Sequence, residues 1–358
     1  MQTTNLNLEN DLTEESVRDS KQLFELYRSL HFIYPAKMER LAPVFDIVQK
    51  NWEKAMKCSF PLFWVSTVPK NRHNIISTGA TWRYVNSGMI AQHLASNHPV
   101  GSRMTFLGML NKVIENQDTE SINSYQIYYR PQNKYSSRVF EPLSIKAGQE
   151  LSAIIPYNYY EVPFLQNDDD NEVDIVEINN GNTRDFINFL QVQKGKIFVK
   201  AQELEGDDIN LIKLNNKFNS YGLKRMRRVL VARSAKDNKI YGVIIVNQSS
   251  LGLNFSFFEN SSELILCKEA SPEFLTRVAR KLLYKASRIN IYSPLQWLPV
   301  LTDPVHSPII ESLNGTLTRN YNLFIMLKGG YEIWYDYVDQ LTNSVYQRFI
   351  NHSTEKYA

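Results

Sequence analysis

The chain lacks most of the features that announce a chemistry. It has two cysteines in 358 residues, Cys58 and Cys267, far apart in sequence. That excludes a disulfide framework, and in a reducing compartment such lone cysteines behave as small hydrophobes. The six histidines (His31, His73, His93, His98, His306 and His352) show no ligand spacing with Cys, Asp or Glu, so no metal site is expected. The acidic run Asp168-Asp169-Asp170 reads as a solvated loop. There is no Gly-x-Ser-x-Gly elbow, no Walker A loop and no dinucleotide glycine fingerprint. No apolar run is long enough for a transmembrane helix. Met1 to Glu15 is polar and acidic, without a positive or an apolar region, and reads as a frayed tail rather than a signal peptide. A cytoplasmic location is the expectation. The formal net charge of +3 falls short of the basic bias of a nucleic-acid binder.

What is present is an ordinary globular balance, 43% hydrophobic and 22% charged. At about 100–200 residues per domain the length predicts two domains. Residues 1–19 form the tail, 20–150 a first domain, 151–172 a connection marked by Pro156, Pro163 and the acidic run, and 173–358 a second domain. In the first domain helical spacing runs from Ser20 to Leu30 and again after Pro35, with a short strand expected at Leu30–Tyr34. Pro61–Val68 and Asn74–Tyr84 read as a hairpin and Ser87–Leu94 as a further strand. A loop follows at 97–103, then a helix through Phe106 and Leu110, then strands at Tyr125–Tyr129 and Ser136–Phe140. The second domain opens on the alternating strand Val173–Ile178, with Thr183 before a helix through Phe186 and Leu190. A hairpin brackets Lys236-Asp237-Asn238, and Ser262–Cys267 is a strand. Helix Pro272–Ser287, strand Trp297–Leu301, a short helix at Ile309–Asn314, strand Tyr321–Leu327 and a C-terminal helix complete it.

Both domains follow one order: strand, helix, hairpin, strand, loop, long helix, strand. This resembles the GCN5-related N-acetyltransferase (GNAT) superfamily. The stretch Val173-Asp174-Ile175-Val176-Glu177-Ile178 through Phe186 is similar to that family's first strand and helix. Gly315 through Arg319-Asn320-Tyr321-Asn322-Leu323-Phe324 is similar to its last helical turn and strand. The resemblance implies an α/β (α+β) fold of two mixed-sheet GNAT-like domains in tandem with a C-terminal helix. It implies transfer of an acyl group from acyl-CoA, the expected cofactor, to an amine. The family seats the pyrophosphate between its fourth strand and third helix. The matching stretch of the second domain, Lys268 to Phe274, has two carboxylates and no glycine, which disfavours an anion. The first-domain stretch offers Val100, Gly101, Ser102 and Arg103 before a helix, where free amides attract phosphate. The resemblance further implies Val246 beside the pantetheine arm, Tyr321 as general acid and Glu263 as base.

A second motif points elsewhere. Asn247-Gln248-Ser249-Ser250-Leu251-Gly252 resembles the [Asp/Asn]-x-Ser-x-x-Gly signature of PilZ domains, which bind cyclic di-GMP. The basic cluster Lys224-Arg225-Met226-Arg227-Arg228 precedes it, and arginine forks grip phosphate and guanine. The ligand set so implied is Lys224, Arg225, Arg227, Arg228, Asn247, Ser249 and Gly252. On this alternative the chain is a ligand sensor or protein-interaction module rather than an enzyme. The expected partner is a small molecule or another protein.

Overall fold

The computed structural model describes residues 20–71, 74–97, 99–166 and 172–355; the tail, His73, His98 and Asp168–Asp170 lie outside them. The first half contains α1 (Ser20–Ser29), α2 (Pro35–Leu41), α3 (Phe45–Ala55), β1 (Phe63–Asn71), β2 (Asn74–Val85), β3 (Gly88–Ser96), α4 (Pro99–Asn116), β4 (Ser124–Tyr129), α5 (Lys134–Ala147) and β5 (Ser152–Pro163). The second contains β6 (Val173–Ile178), α6 (Arg184–Lys194), α7 (Lys196–Ala201), α8 (Ile212–Asn219), β7 (Arg225–Ser234), β8 (Ile240–Ser249), β9 (Ser262–Leu266), α9 (Pro272–Ile289), β10 (Trp297–Thr302), α10 (Ser307–Ser312), β11 (Thr316–Leu327) and α11 (Tyr331–Glu355).

All eleven strands join one sheet, in the order β1-β2-β3-β4-β11-β5-β10-β9-β8-β7-β6. The two halves therefore share a mixed sheet and exchange their last strands. β11 of the second half pairs with β4, and β5 of the first half pairs with β10. This corrects the reading of 151–172 as a connection, because Ser152–Pro163 is a central strand. Two further expectations fail locally. Leu30–Tyr34 is a turn between α1 and α2 rather than a strand. Ser136–Phe140 lies in α5, because the Asn133 side chain accepts the Tyr135 and Ser136 amides and so caps a helix.

Side chains alternate across the strands and send successive residues to opposite faces. Met89, Ala91, Tyr125, Tyr129, Phe324 and Met326 pack with α4, α5 and α11. Ile90 packs toward α1–α3, while Tyr157, Tyr159, Leu323 and Ile325 pack toward α6 and α7. Helices thus cover both faces, with α1–α3 and α6–α8 on one and α4, α5 and α9–α11 on the other. No described helix is long and apolar enough to cross a membrane.

Candidate functional site

Of the ten neighbouring strand pairs among the described residues eight are antiparallel, and only β3–β4 and β9–β10 run parallel. Parallel neighbours leave no tight turn to hold their far ends together, so they can diverge. β3 and β4 do so. They pair from Gly88/Ser124 to Ala91/Ile127, while β3 runs on to Ser96 and β4 to Tyr129. At the fork β3 carries a bulge, in which His93 and Leu94 together stand opposite Gly79 of β2. His93 has φ 57°, a left-handed conformation. Such a bulge takes a residue out of the ladder and re-aims side chains. Here Gln92 and His93 both face α3, and Leu94 packs on the α4 side.

A cavity of about 280 Å³ opens at this fork. Its walls come from both faces of the sheet. Ala91, Leu94, Phe106, Tyr129, Ser136 and Phe140 belong to the α4/α5 side. Phe32, Tyr34, Lys37, Gln92, Tyr128 and Tyr321 belong to the other. The cavity therefore passes through the sheet. One wall, Asn254-Phe255-Ser256, is a loop of the second half. It is held by Gln92, whose Nε2 donates to the Leu253 carbonyl (2.5 Å) and whose Oε1 accepts from Asn254 Nδ2 (2.8 Å).

His93 is buried between Trp52 (ring centroids 5.4 Å, 17°) and Phe255 (4.2 Å, 25°). Its Nε2 accepts the Phe255 amide at 3.2 Å. Burial pushes its pKa well below the ordinary value, with Lys37 adding to the effect, so the ring is neutral with its proton on Nδ1. Lys37 is pushed down to about 8, first by burial and then by the charges of Arg130, Arg319 and Arg40. The Tyr321 hydroxyl is pushed above its ordinary value by burial, against the opposing pull of Ser256, Arg319 and Arg130. Its Oη lies 3.5 Å from Ser256 Oγ.

The residues expected to act with Tyr321 are elsewhere. Glu263 on β9 is buried, accepts the Tyr157 hydroxyl and lies 3.6 Å from Lys194 Nζ. Lys194 sits 4.0 Å above the Tyr157 ring. Burial raises the Glu263 pKa, against Lys194, and lowers that of Lys194. This cluster lies on β9, the other parallel pair's strand, and takes Glu263 away from the cavity wall. Val246 is fully buried on β8, which is antiparallel to both neighbours, and it does not line the cavity at the β3/β4 fork.

Val100, Gly101, Ser102 and Arg103 form the first turn of α4 rather than a loop. A Cβ on Gly101 would lie 3.1 Å from Ile76 and Ser77, so glycine there lets the helix sit close on β2. Ser102 hydrogen-bonds Tyr135, a cavity residue, and Arg103 pairs with Asp339 of α11 at 2.6 Å.

The PilZ-like residues serve the interior. Arg225 is fully buried and donates to the carbonyls of Tyr84 (2.8 Å) and Glu259 (3.2 Å) and to Asn247 Oδ1 (3.0 Å). Arg227, also fully buried, donates to the carbonyls of Ile209, Gln202 and Glu203. Arg228 pairs with Glu177, and Ser249 Oγ donates to the Lys224 carbonyl. Gly252 has φ 80°, and a Cβ there would lie 2.3 Å from Val48. No guanidinium fork of this set faces solvent unpaired, so cyclic di-GMP recognition by it is not supported. Cys58 is pushed up to about 12 by burial, which removes it as a nucleophile. Among the described residues no cluster of three or more His, Cys, Asp and Glu is placed to hold a metal ion.

The sequence missed the cavity residues His93, Lys37 and Tyr128. Histidine spacing speaks only to metal ligation, and a bulge leaves no mark on a pattern of apolar residues.

No family model and no curated protein matches the chain. Solved structures are similar in fold at low identity. A candidate acetyltransferase from Pyrococcus horikoshii is 13% identical over 92% of this chain and 93% of that one, with a TM-score of 0.43. A GCN5-related N-acetyltransferase from Sphaerobacter thermophilus is 9% identical over 88% and 95%, at 0.42. A tandem GNAT protein from the clavulanic acid biosynthesis pathway is 9% identical over 88% and 98%, at 0.40.

Proposed function

We propose that the chain is an acyl-CoA-dependent N-acyltransferase whose working cleft is the β3/β4 fork of its first half. The supporting observation is a cavity that crosses the sheet between two diverging parallel strands. A thioester and an acceptor need to meet from opposite sides, and this cavity is open to both faces. The first-turn amides of α4 at Val100–Ser102 suit a pyrophosphate, since they have no partner within the helix. The diverging edges of β3 and β4 offer backbone groups to the pantetheine amides. The bulge at His93 and Leu94 takes the polarising role that the sequence assigned to Val246.

In the reaction the amine nitrogen forms a bond to the thioester carbonyl carbon, and the carbon–sulfur bond breaks. Tyr321, kept protonated by burial, gives its proton to the departing thiolate. No Asp or Glu lines the cavity among the described residues, so the acceptor's proton leaves to water, which restores the Tyr321 hydroxyl.

The test is a calorimetric titration with acetyl-CoA of the native protein and of Ser136→Trp, which fills the cavity from the first turn of α5. Micromolar binding by the native protein, lost in a folded Ser136→Trp, supports the reading. Silence in the native protein refutes it. The missing carboxylate also favours a second reading, a binding module on the same cavity. Binding of acetyl-CoA without thiol release across a panel of amines selects that one.

A further inference from the structure

The cavity has a charged end on one side of the sheet. Lys37 Nζ lies 5.2 Å and the Arg319 guanidinium 5.3 Å from the Tyr34 ring centroid. Arg130, immediately after β4, also lines the cavity. Arg40, the fourth cation nearby, is paired with Glu161. Among the described residues no carboxylate lies within ion-pair distance of Lys37, Arg130 or Arg319. Lys37, Arg319 and Arg130 are like charges near one another, set against aromatic rings (Lys37 Nζ is also 4.1 Å from the Phe32 ring centroid) and without a described carboxylate to pair with. Burial first, and then the charges of Arg130, Arg319 and Arg40, push the Lys37 pKa down.

These cations stand on the face away from α4. Lys37 belongs to α2, whose Leu41 packs with Ile90 and Phe255, whereas α4 packs with Met89 and Ala91. Ile90 lies between those two on β3, so the two helices flank opposite sides of the sheet. A pyrophosphate on the first turn of α4 would sit on the other side of the sheet from them. Next to them the cavity is walled by Phe32, Phe255 and Phe258.

Resting on the transferase reading above, we propose that Lys37, Arg130 and Arg319 form an anion subsite for the acceptor, which is a small amine carrying a carboxylate or phosphate beside an apolar or aromatic body. The aromatic wall takes the body, and the cations take the anionic group and orient the amine toward the fork.

The experiment titrates the native protein with phenyl phosphate, phenylacetate and neutral phenylacetamide at millimolar concentration, alone and after saturation with acetyl-CoA. The same series is run on Arg319→Gln and Lys37→Met. Both are partly exposed positions where removal of charge leaves the core intact. At least one anion is expected to bind tenfold or more tightly than the amide, with acetyl-CoA present as well as absent. That preference is expected to fall at least tenfold in either variant while acetyl-CoA affinity holds. The phosphate and the carboxylate arms say which group the subsite prefers. Equal binding of anion and amide, no binding of any anion, or a preference that survives both variants overturns the proposal and leaves the transferase reading standing. Competition between phenyl phosphate and acetyl-CoA overturns it differently, by assigning the cations to the donor's own phosphates. Failure of acetyl-CoA to bind the native protein overturns both readings.

Discussion

Arg225→Met tests whether the basic cluster is a structural pin or a nucleotide site. The side chain is fully buried and satisfies three acceptors: the Tyr84 and Glu259 carbonyls and Asn247 Oδ1. Its guanidinium also lies 4.1 Å from the Tyr84 ring centroid. Tyr84 belongs to β2 of the first half and the other two acceptors to the second, so the arginine ties the halves together. Methionine restores much of the volume but leaves three buried acceptors without donors, each costing about 1–3 kcal/mol. Loss of the ring contact adds about 1 kcal/mol. Methionine's own burial offsets part of this, leaving a net loss of about 4 kcal/mol, in the range for breaking a buried charged network. Arg225→Lys keeps the charge without the fork and is expected to lose about half as much. The assay is urea unfolding followed by circular dichroism, with a lower midpoint at unchanged m-value as the expected result. An Arg225→Met protein within about 1 kcal/mol of the native one refutes the reasoning, since errors in such ledgers are of that size. The nucleotide reading expects the reverse, unchanged stability and lost cyclic di-GMP binding.

Gly252→Ala places a methyl 2.3 Å from Val48 Cγ2 at φ 80° and is expected to cost about 2–4 kcal/mol in thermal unfolding. Val48→Ala in the same chain recovers part of that, and no recovery means the collision is not the cause. Tyr321→Phe removes a hydroxyl whose one described partner is 3.5 Å away, so stability changes by less than about 1 kcal/mol while kcat falls about a hundredfold at constant KM for acetyl-CoA. An unchanged kcat removes Tyr321 as the acid. Burial raises the Glu259 carboxyl from 4.5 to about 7, against the Gly252 and Asn254 amides that bond it. Between these values the folded chain holds a proton the unfolded chain has released. The stabilisation is therefore complete below pH 4.5 and lost as pH rises through about 7, to the extent of about 3 kcal/mol. Glu259→Gln flattens that part of the stability profile, and a profile of the same slope shows that another group titrates.

Residues that form local, periodic patterns could be read directly. The alternation in Val173–Ile178 gave β6 at those bounds, and the apolar face of Pro272–Ser287 gave α9 nearly entire. The β1/β2 hairpin follows from the same short-range rules. β5 was obscured by its prolines, which remove ladder donors and so suggest a connection. The strand tolerates Pro156 because its neighbours β11 and β10 supply the rest of the ladder. Tyr135 to Phe140, rich in aromatic and small polar residues, carries strand propensity, and the Asn133 cap overrode it.

The sequence alone determined which segments are amphipathic, the order of elements through most of the second half and the position of Tyr321 near the last strand, because these depend on spacing along the chain. Only the tertiary structure decided that β5 and β11 cross over, and that this exchange carries Tyr321 of the second half to a cavity of the first. It also turned Arg225 and Arg227 inward and brought Lys37 and Arg319 from distant segments to one ring, with Arg130 lining the adjoining cavity. The physical reason is common to all of these. Parallel pairing, strand exchange and the burial of charge are set by contacts between residues far apart in the chain, and such contacts leave no period in the sequence.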